Sequence, residues 1–141
     1  MTVIAIDFDG TIVEHDFPKI GAPVPGAVDW IKMFVKYGAK IVLWTCRDGS
    51  TLEAAVEYCR NAGIELYGIN ENPDQHWSVS PKAYASLYID DRGAFCPLVS
   101  VDGGRPYVDW FIVGPEVLKV IAGPEVIALP PTRLIGPLSK C

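Results

Sequence analysis

The feature that most constrains this chain is its N-terminal stretch, where an apolar run leads directly into two closely spaced carboxylates. Val3 to Ile6 is apolar and largely β-branched, which predicts a short strand buried on both faces. Asp7 and Asp9 follow at once, and then come Gly10 and Thr11. Side chains two apart on an extended backbone point the same way. Both carboxylates can therefore face one site beyond the strand, with Gly10 letting the chain turn away.

This stretch is also compatible with two other interpretations. Asp-Gly is a common turn pair, so the motif is also compatible with an ordinary turn. A calcium-binding loop also starts with alternating carboxylates, but its glycine belongs at the sixth position and here it stands fourth. Neither interpretation explains why a hydrophobic strand leads directly into the carboxylate pair. We therefore expect further site residues later in the chain.

Length and charge limit the classes of protein that this chain can join. The 141 residues suit one domain (1–141) with a sizeable core, and the charged fraction of 21% is ordinary for a globular protein. A net charge of −5 argues against a nucleic-acid partner, although it leaves room for a local basic pocket. The sequence has neither a membrane-length apolar run nor a basic signal-peptide start, so we expect no membrane association.

Cysteine and histidine usage bears on metals and on the compartment. The four cysteines are scattered without a Cys-x-x-Cys pair, and there are only two histidines, so no zinc-binding spacing can be assembled. We expect reduced thiols in a cytoplasmic protein. Any metal should be bound through oxygen.

Strands and helices alternate along the first ninety residues. A helix is predicted from Gly26 to Gly38, and a capping box formed by Ser50 and Glu53 predicts the start of a second helix. A third, short helix is predicted after Ser80-Pro81, a pair typical of a helix start. The further predicted strands are Lys40–Trp44, Glu65–Ile69 and Ser86–Ile89. This alternation predicts an α/β fold, a doubly wound parallel sheet with helices on both faces.

Polar side chains follow three of the predicted strands. Asp7 and Asp9 follow the first, Thr45 lies at the end of the second, and Asp90 and Asp91 follow the fourth. Parallel sheets bind ligands beyond the carboxyl ends of their strands. The sequence therefore predicts an active site at this edge, rich in carboxylates that repel one another by about 4 kcal/mol per close pair. A divalent cation with hard oxygen ligands, such as Mg²⁺, would remove that cost.

The order of these residues resembles the motifs of the haloacid-dehalogenase-like (HAD) superfamily, which consists mostly of phosphatases and phosphotransferases. Asp7-Phe8-Asp9-Gly10-Thr11 is similar to the first motif, Thr45 to the second, Lys82 to the third, and Asp90-Asp91 to the fourth. The resemblance covers residues 3–92. It implies a Rossmann-like hydrolase, and the carboxylate at Asp9, which the dehalogenases of the superfamily lack, favours phosphoryl transfer.

The resemblance also implies a role for each motif residue. Asp7 would attack phosphorus to form an aspartyl-phosphate, and Asp9 would act as general acid and then base. Asp7, the Asp9 carbonyl and Asp90 would hold Mg²⁺, with Asp91 binding the ion or orienting its waters. In addition, Thr45 would hydrogen-bond a phosphoryl oxygen and Lys82 would neutralise developing charge.

The substrate is predicted only as a small phosphomonoester. The intervals where the superfamily inserts cap domains are too short here for a separate domain, so the protein resembles its capless members. The candidate substrate-binding residues are Gly10, Thr11, His15, Arg47 and His76. For His15, Arg47 and His76 the alternative is a solvated loop residue.

Two other functions are compatible with some of these residues. A phosphoacceptor receiver domain, which is a signalling switch, also uses an acidic pair, a lone Asp, a Ser/Thr and a Lys. Its acidic pair follows the first strand, however, whereas Asp90-Asp91 follows the fourth. A HAD fold retired to binding is the other alternative, and the complete set of motif residues argues against it.

The C-terminal part (97–141) differs in texture from the motif-bearing core (1–96). A β-hairpin is predicted around Gly103-Gly104, and a helix from Pro115 to Ala122. From Gly123 to Leu138 the chain is apolar and proline-rich, which cannot continue a helix. This tail either packs along its own sheet or crosses to a second copy, and the second interpretation predicts a homo-oligomer.

Overall fold

The computed structural model describes residues 1–125, and its strands and helices follow the predicted alternation as far as residue 69. The strands and helices are β1 Val3–Ile6, α1 Ala27–Lys36, β2 Lys40–Leu43, α2 Gly49–Asn61, β3 Leu66–Ile69, β4 Leu87–Ile89, β5 Leu98–Val99, β6 Tyr107–Val108 and α3 Trp110–Ala122. The predicted proline-rich tail lies outside the described residues, apart from its first three positions. None of the helices in residues 1–125 is long and apolar enough to cross a membrane.

The first four strands form one parallel sheet in the order β3-β2-β1-β4. β1 lies inside the sheet and all four of its residues are buried, as the apolar run predicts. Ile6 is opposite Leu43 of β2 on one side and opposite Ile89 of β4 on the other. The chain moves outward from β1 through β2 to β3 and then returns to the far side of β1. The carboxyl ends of β1 and β4 therefore flank the point where the winding direction reverses.

The main core lies on one face of the sheet. Its buried residues include Ile4 and Ile6 of β1, Ile41 and Leu43 of β2, and residues from all three helices. The other face carries a smaller buried cluster formed by Val3, Ala5, Val42 and Ala85. Within residues 1–125, this second cluster contains no residue of a helix.

The prediction of a short helix after Ser80-Pro81 is wrong. Residues 70–86, which connect β3 to β4, contain no helix. The side chain of Gln75 explains this difference, because its amide nitrogen donates to the Lys82 carbonyl (3.1 Å) and its amide oxygen accepts from the Tyr84 N–H (2.7 Å). Backbone groups that a helix would use are thereby taken by a side chain of the same loop.

The starts of α2 and α3 also differ from the predictions. Asp48 is the N-cap of α2 and Ser50 lies inside the helix, so Ser50 and Glu53 do not form a capping box. α3 begins at Trp110 rather than at Pro115, because the Asp109 side chain accepts a hydrogen bond from the Phe111 N–H and caps the helix there (3.1 Å). Pro115 is accommodated inside α3.

The C-terminal elements are tied to the loop that follows β1. β5 and β6 pair antiparallel, with Leu98 opposite Val108. The Val108 N–H donates to the Gly10 carbonyl at 2.9 Å, and the Trp110 indole N–H donates to the Thr11 carbonyl at 2.7 Å. The hairpin and α3 therefore help to fix the backbone of the carboxylate motif.

Helices α1 and α3 pack closely because Gly114 faces a tryptophan. Trp30 of α1 and Trp110 of α3 are both buried, as expected for core residues. A Cβ atom added to Gly114 would overlap the indole ring of Trp30. Position 114 therefore has no room for a side chain unless the two helices move apart.

We predict that Gly114→Ala destabilises the protein by about 1–3 kcal/mol, because the overlap outweighs the better helix propensity of alanine. Urea denaturation followed by tryptophan fluorescence measures the change. Val120→Ala on the exposed side of α3 is the control and should change stability by no more than about 0.5 kcal/mol. A Gly114→Ala midpoint at or above that of the wild type would show that the packing argument is mistaken.

Candidate functional site

Three carboxylates meet at the carboxyl ends of β1 and β4. Asp7 follows β1 directly, and Asp90 and Asp91 follow β4. One oxygen atom from each side chain lies within 4.8 Å of the others. The Asp7 N–H donates to the Ile89 carbonyl at 2.9 Å, which continues the strand pairing up to the cluster. The structure therefore brings together three of the predicted metal-binding residues, and this set is called the carboxylate cluster below.

The electrostatics of the carboxylate cluster disfavour three negative charges. Burial and the neighbouring carboxylates of Asp90 and Asp91 together raise the pKa of Asp7 to about 8, with burial as the largest cause. Burial also raises the pKa of Asp90, with Asp91 adding to the effect. Both directions have the same cause, which is negative charge held away from water beside like charge. The cluster therefore needs protons or a cation to offset its charge.

A buried threonine and a histidine contact two members of the carboxylate cluster. The Thr11 hydroxyl donates to Asp7 Oδ2 (3.1 Å) and accepts from the Asp91 N–H (3.3 Å), and the residue is fully buried. His15 Nε2 lies 2.8 Å from Asp91 Oδ2. The solvated-loop interpretation of His15 is thus wrong, since its side chain is only 15% exposed. Thr11 and His15 hold two members of the cluster in place.

Gly10 is required at its position for two reasons. Its φ of +81° lies in the left-handed region, which favours glycine. A Cβ atom at this position would also overlap His15 Nε2 and the carboxylate of Asp91. The turn after Asp9 therefore lets His15 approach Asp91, which is a structural role that needs no contact with substrate.

Asp9 is not part of the carboxylate cluster but forms a bidentate ion pair with Arg47. Arg47 Nε donates to Asp9 Oδ2 at 2.8 Å, and Arg47 Nη2 donates to Asp9 Oδ1 at 2.7 Å. The remaining N–H groups of Arg47 donate to the carbonyls of Pro18, Lys19 and Thr51. All five guanidinium donors are thereby used.

The surroundings of Arg47 bear on two expectations, a solvated loop residue and a contact with substrate. The residue is 3% exposed, so the solvated-loop interpretation is wrong. With every donor engaged, Arg47 also has no N–H free for the substrate contact that was predicted. The rings of Phe8 and Phe17 lie 5.0 and 5.1 Å from its guanidinium carbon, which adds cation–π attraction.

A cavity of about 360 Å³ opens beside the carboxylate cluster. Its lining residues are Asp7, Trp44, Thr45, Cys46, Asn70, Pro81 and Asp90. The Thr45 hydroxyl accepts from the Arg47 backbone N–H at 3.1 Å, so its own hydrogen is available to a ligand. The predicted position of Thr45 at the site edge is therefore compatible with binding an anion.

Asn70 is a site residue that the sequence analysis missed. It follows β3, has a φ of +54°, and its side-chain oxygen accepts from the Thr45 N–H at 2.8 Å. Asparagine tolerates the left-handed region better than most residues. An asparagine directly after a predicted strand was the available signal. Its role is to fix the Thr45 backbone at the mouth of the cavity.

Lys82 and His76 are not brought to the carboxylate cluster. The Lys82 ammonium lies 5.5 Å from the centre of the Tyr88 ring and does not line the cavity beside Asp7. His76 is exposed, and its side chain forms no hydrogen bond or ion pair with any of residues 1–125. The solvated-loop interpretation therefore fits His76.

We predict that Arg47→Lys destabilises the protein by about 3–5 kcal/mol, a loss typical of breaking a buried ion pair. One ammonium cannot reproduce a bidentate fork together with three further donors, so carbonyls of the loop after β1 and of α2, and part of Asp9, lose their partners. Chemical denaturation measures the loss, with Arg60→Lys on the exposed surface of α2 as the control. Equal stability of the two variants would contradict the structural role of Arg47.

Comparisons with known proteins bear on this architecture. No family model matches the chain, and no curated protein matches it either. Among solved structures, the chain is similar to a conserved protein from Bacteroides thetaiotaomicron, with a TM-score of 0.70 and 36% sequence identity. The match covers 91% of this chain and 98% of that protein. This protein therefore belongs to the same family as that conserved Bacteroides protein.

Proposed function

We propose that this protein is a Mg²⁺-dependent phosphohydrolase of the HAD type, which acts on a small phosphomonoester through an aspartyl-phosphate on Asp7. The observation that supports this proposal best is the carboxylate cluster, whose three oxygens lie within 4.8 Å at the reversal point of a parallel sheet. A chain that only needed turns at these strand ends would not place Asp7, Asp90 and Asp91 together at an electrostatic cost.

The residues of the cluster fit a magnesium ion. All the donor atoms are carboxylate oxygens, which are the ligands that Mg²⁺ prefers. The pKa of Asp7 is raised to about 8 mainly by burial and then by the neighbouring carboxylates, and the positive charge of a bound cation would oppose both effects. Asp7, Asp90 and Asp91 would hold the ion, together with the Asp9 carbonyl that the HAD resemblance implies. When bound, the ion supplies positive charge that stabilises the ionised cluster and the phosphoryl oxygens.

The proposed reaction has two displacements at phosphorus. In the first, a carboxylate oxygen of Asp7 forms a bond to phosphorus while the ester oxygen departs and takes a proton from Asp9. In the second, a water molecule gives its proton to Asp9 and attacks the aspartyl-phosphate. Inorganic phosphate leaves and Asp7 is regenerated. The Thr45 hydroxyl would donate to a phosphoryl oxygen in both steps.

Two proposed roles require side chains to move from where the structure has them. Asp9 must leave Arg47 and take up a proton from water before it can protonate the ester oxygen, since both of its oxygens accept from that guanidinium. Lys82 must swing away from the Tyr88 ring to neutralise charge at the cluster. Lys82 is exposed on a flexible stem, so its movement meets little resistance.

The proposal includes the setting of the enzyme. We propose a capless HAD fold whose sheet is wound outward from β1 in both directions, with residues 70–86 instead of a helix crossing the face opposite α1 and α2. We also propose a cytoplasmic location, which suits the free thiols of Cys46, Cys59 and Cys96. A homo-oligomer held by the tail stays a prediction, because the tail lies outside the described residues.

We predict that Asp7→Asn lowers phosphatase turnover to the level of the uncatalysed background, because an amide cannot form the acyl-phosphate. Release of inorganic phosphate from a panel of phosphomonoesters with Mg²⁺ measures this. Glu116→Gln on the exposed side of α3 removes one charge elsewhere and should keep wild-type turnover. Substantial activity in Asp7→Asn would rule out the nucleophile. A wild type that keeps its phosphate after one turnover would favour a receiver-like switch.

We predict a pH-dependent stability in EDTA that depends on Asp7. The folded pKa of about 8 lies above the ordinary value of 3.8, so the folded protein binds the extra proton between these values. Stability from this group is therefore full below pH 4 and is lost as the pH rises towards 8. Asp7→Asn should gain melting temperature relative to the wild type over that interval. Mg²⁺ should raise the wild-type melting temperature more at pH 8 than at pH 5.

The same melting experiment can refute the metal site. If the melting temperatures of the wild type and Asp7→Asn change in parallel from pH 4 to 8, ionisation of Asp7 does not destabilise the folded protein. If Mg²⁺ shifts neither melting temperature nor activity, and activity persists in excess EDTA, the carboxylate cluster does not hold a required cation.

A further inference from the structure

A second cavity, of about 300 Å³, has Asp91 of the carboxylate cluster in its wall. It is lined by His15, Asp91, Arg92, Leu98, Arg105 and Pro106, and is called the hairpin cavity here because three of these residues come from β5 and the connection to β6. Asp91 belongs both to the cluster and to the wall of this cavity. A ligand that reaches from the carboxylate cluster to the hairpin cavity would therefore pass the side chain of Asp91.

The hairpin cavity carries two arginines, Arg92 and Arg105, whose guanidinium groups keep their N–H donors free within residues 1–125, although the charge of Arg92 acts on Asp90. Within residues 1–125, neither Arg92 nor Arg105 donates a side-chain hydrogen bond or forms an ion pair. Arg47 provides the contrast, since all five of its donors are used inside the protein. Arg47 is thus part of the structure, whereas Arg92 and Arg105 present unused donors around a cavity.

The position of Arg92 is fixed relative to the carboxylate cluster. Its backbone N–H donates to Asp90 Oδ1 at 2.9 Å, so this arginine starts from the same turn that carries Asp90 and Asp91. Arg105 approaches from the connection between β5 and β6, which is anchored where the Val108 N–H donates to the Gly10 carbonyl. Two independent segments therefore bring a cation to one cavity.

The charge balance of the hairpin cavity favours an anion. Its acidic lining residue, Asp91, is already paired with His15 at 2.8 Å. Neither guanidinium group forms an ion pair among residues 1–125, although the charge of Arg92 acts on Asp90, and the net charge of the chain is −5. A phosphate or a carboxylate matches the forked donors of arginine better than any neutral group does.

We propose that the hairpin cavity binds a second anionic group, a carboxylate or a phosphate, carried by the phosphomonoester substrate. This inference rests on the proposed function, because the reacting phosphoryl group is placed at Asp7. The substrate class is then a small phosphomonoester with an additional acidic group, recognised by Arg92 and Arg105. The cavity of about 360 Å³ that is lined by Asp7 and Thr45 would receive the phosphoryl oxygens.

Binding of phosphonates tests the proposal without any turnover, since their P–C bond is not hydrolysed. The probes are phosphonoacetate, 3-phosphonopropionate and 4-phosphonobutyrate, each paired with the alkylphosphonate in which a methyl group replaces the carboxylate. Propane-1,3-bisphosphonate represents a second phosphate. Calorimetric titration in the presence of Mg²⁺ gives Kd for the wild type, Arg92→Gln, Arg105→Gln and the control Arg60→Gln.

The wild type and Arg60→Gln should bind a doubly anionic probe about tenfold or more tightly than its singly anionic partner, at the chain length that fits. Arg92→Gln and Arg105→Gln should each reduce that ratio about tenfold. Circular dichroism checks that both variants are folded, which is expected for exposed side chains. No preference for any doubly anionic probe, or a preference that survives both substitutions, would overturn the proposal.

Kinetics separate this proposal from the function on which it rests. Hydrolysis of phosphomonoesters with equal kcat/KM for phosphoglycolate and 2-hydroxyethyl phosphate, and for sugar bisphosphates and monophosphates, would sustain the phosphohydrolase and defeat the hairpin cavity as a subsite. Arginine-dependent binding of the doubly anionic phosphonates without hydrolysis of any ester would do the opposite.

Discussion

The parallel pairing of β1 with β4 is the constraint on which the candidate site depends. Because Ile6 is opposite Ile89, the next residues of both strands, Asp7 and Asp90, leave the sheet side by side. Their carboxylates are then partly buried and close to Asp91, and burial is the main cause of the raised pKa of Asp7. The fully buried β1 offsets that cost, since apolar burial contributes about 25 cal/mol per Å². Core packing thus forces acidic groups together.

Two buried polar residues, Thr11 and Arg47, connect the carboxylate end of the sheet to the rest of the fold. Thr11 joins Asp7 to the backbone of Asp91 through its hydroxyl, while its carbonyl accepts from Trp110 of α3. Arg47 joins Asp9 to carbonyls of the loop after β1 and of α2. Both residues have their hydrogen-bonding capacity met inside the protein, so each stabilises the edge instead of leaving an unpaired buried group. The motif loop is consequently held from two directions.

Local patterns in the sequence predicted the strands, their polar ends and the carboxylates that meet there, because apolar runs and helix periodicity report local structure. They could not predict contacts between side chains far apart in the chain. Arg47 lies 38 residues from Asp9, so local patterns could not show the bidentate ion pair between them. Arg47 was therefore predicted to bind substrate instead. Gln75 takes the backbone groups that a helix at Lys82 would need. Asn70 was overlooked for the same reason, since its partner is 25 residues away.

The pairing of Asp9 with Arg47 has a consequence for the proposed acid step. If Asp9 rotates towards the ester oxygen, two N–H groups of a guanidinium that is 3% exposed lose their acceptors. An unsatisfied buried donor costs about 1–3 kcal/mol, and a charged one costs more. Without ligand, Asp9 therefore stays on Arg47. The proton donor becomes available only when substrate binding supplies energy that offsets this loss, which couples the acid step to occupancy of the site.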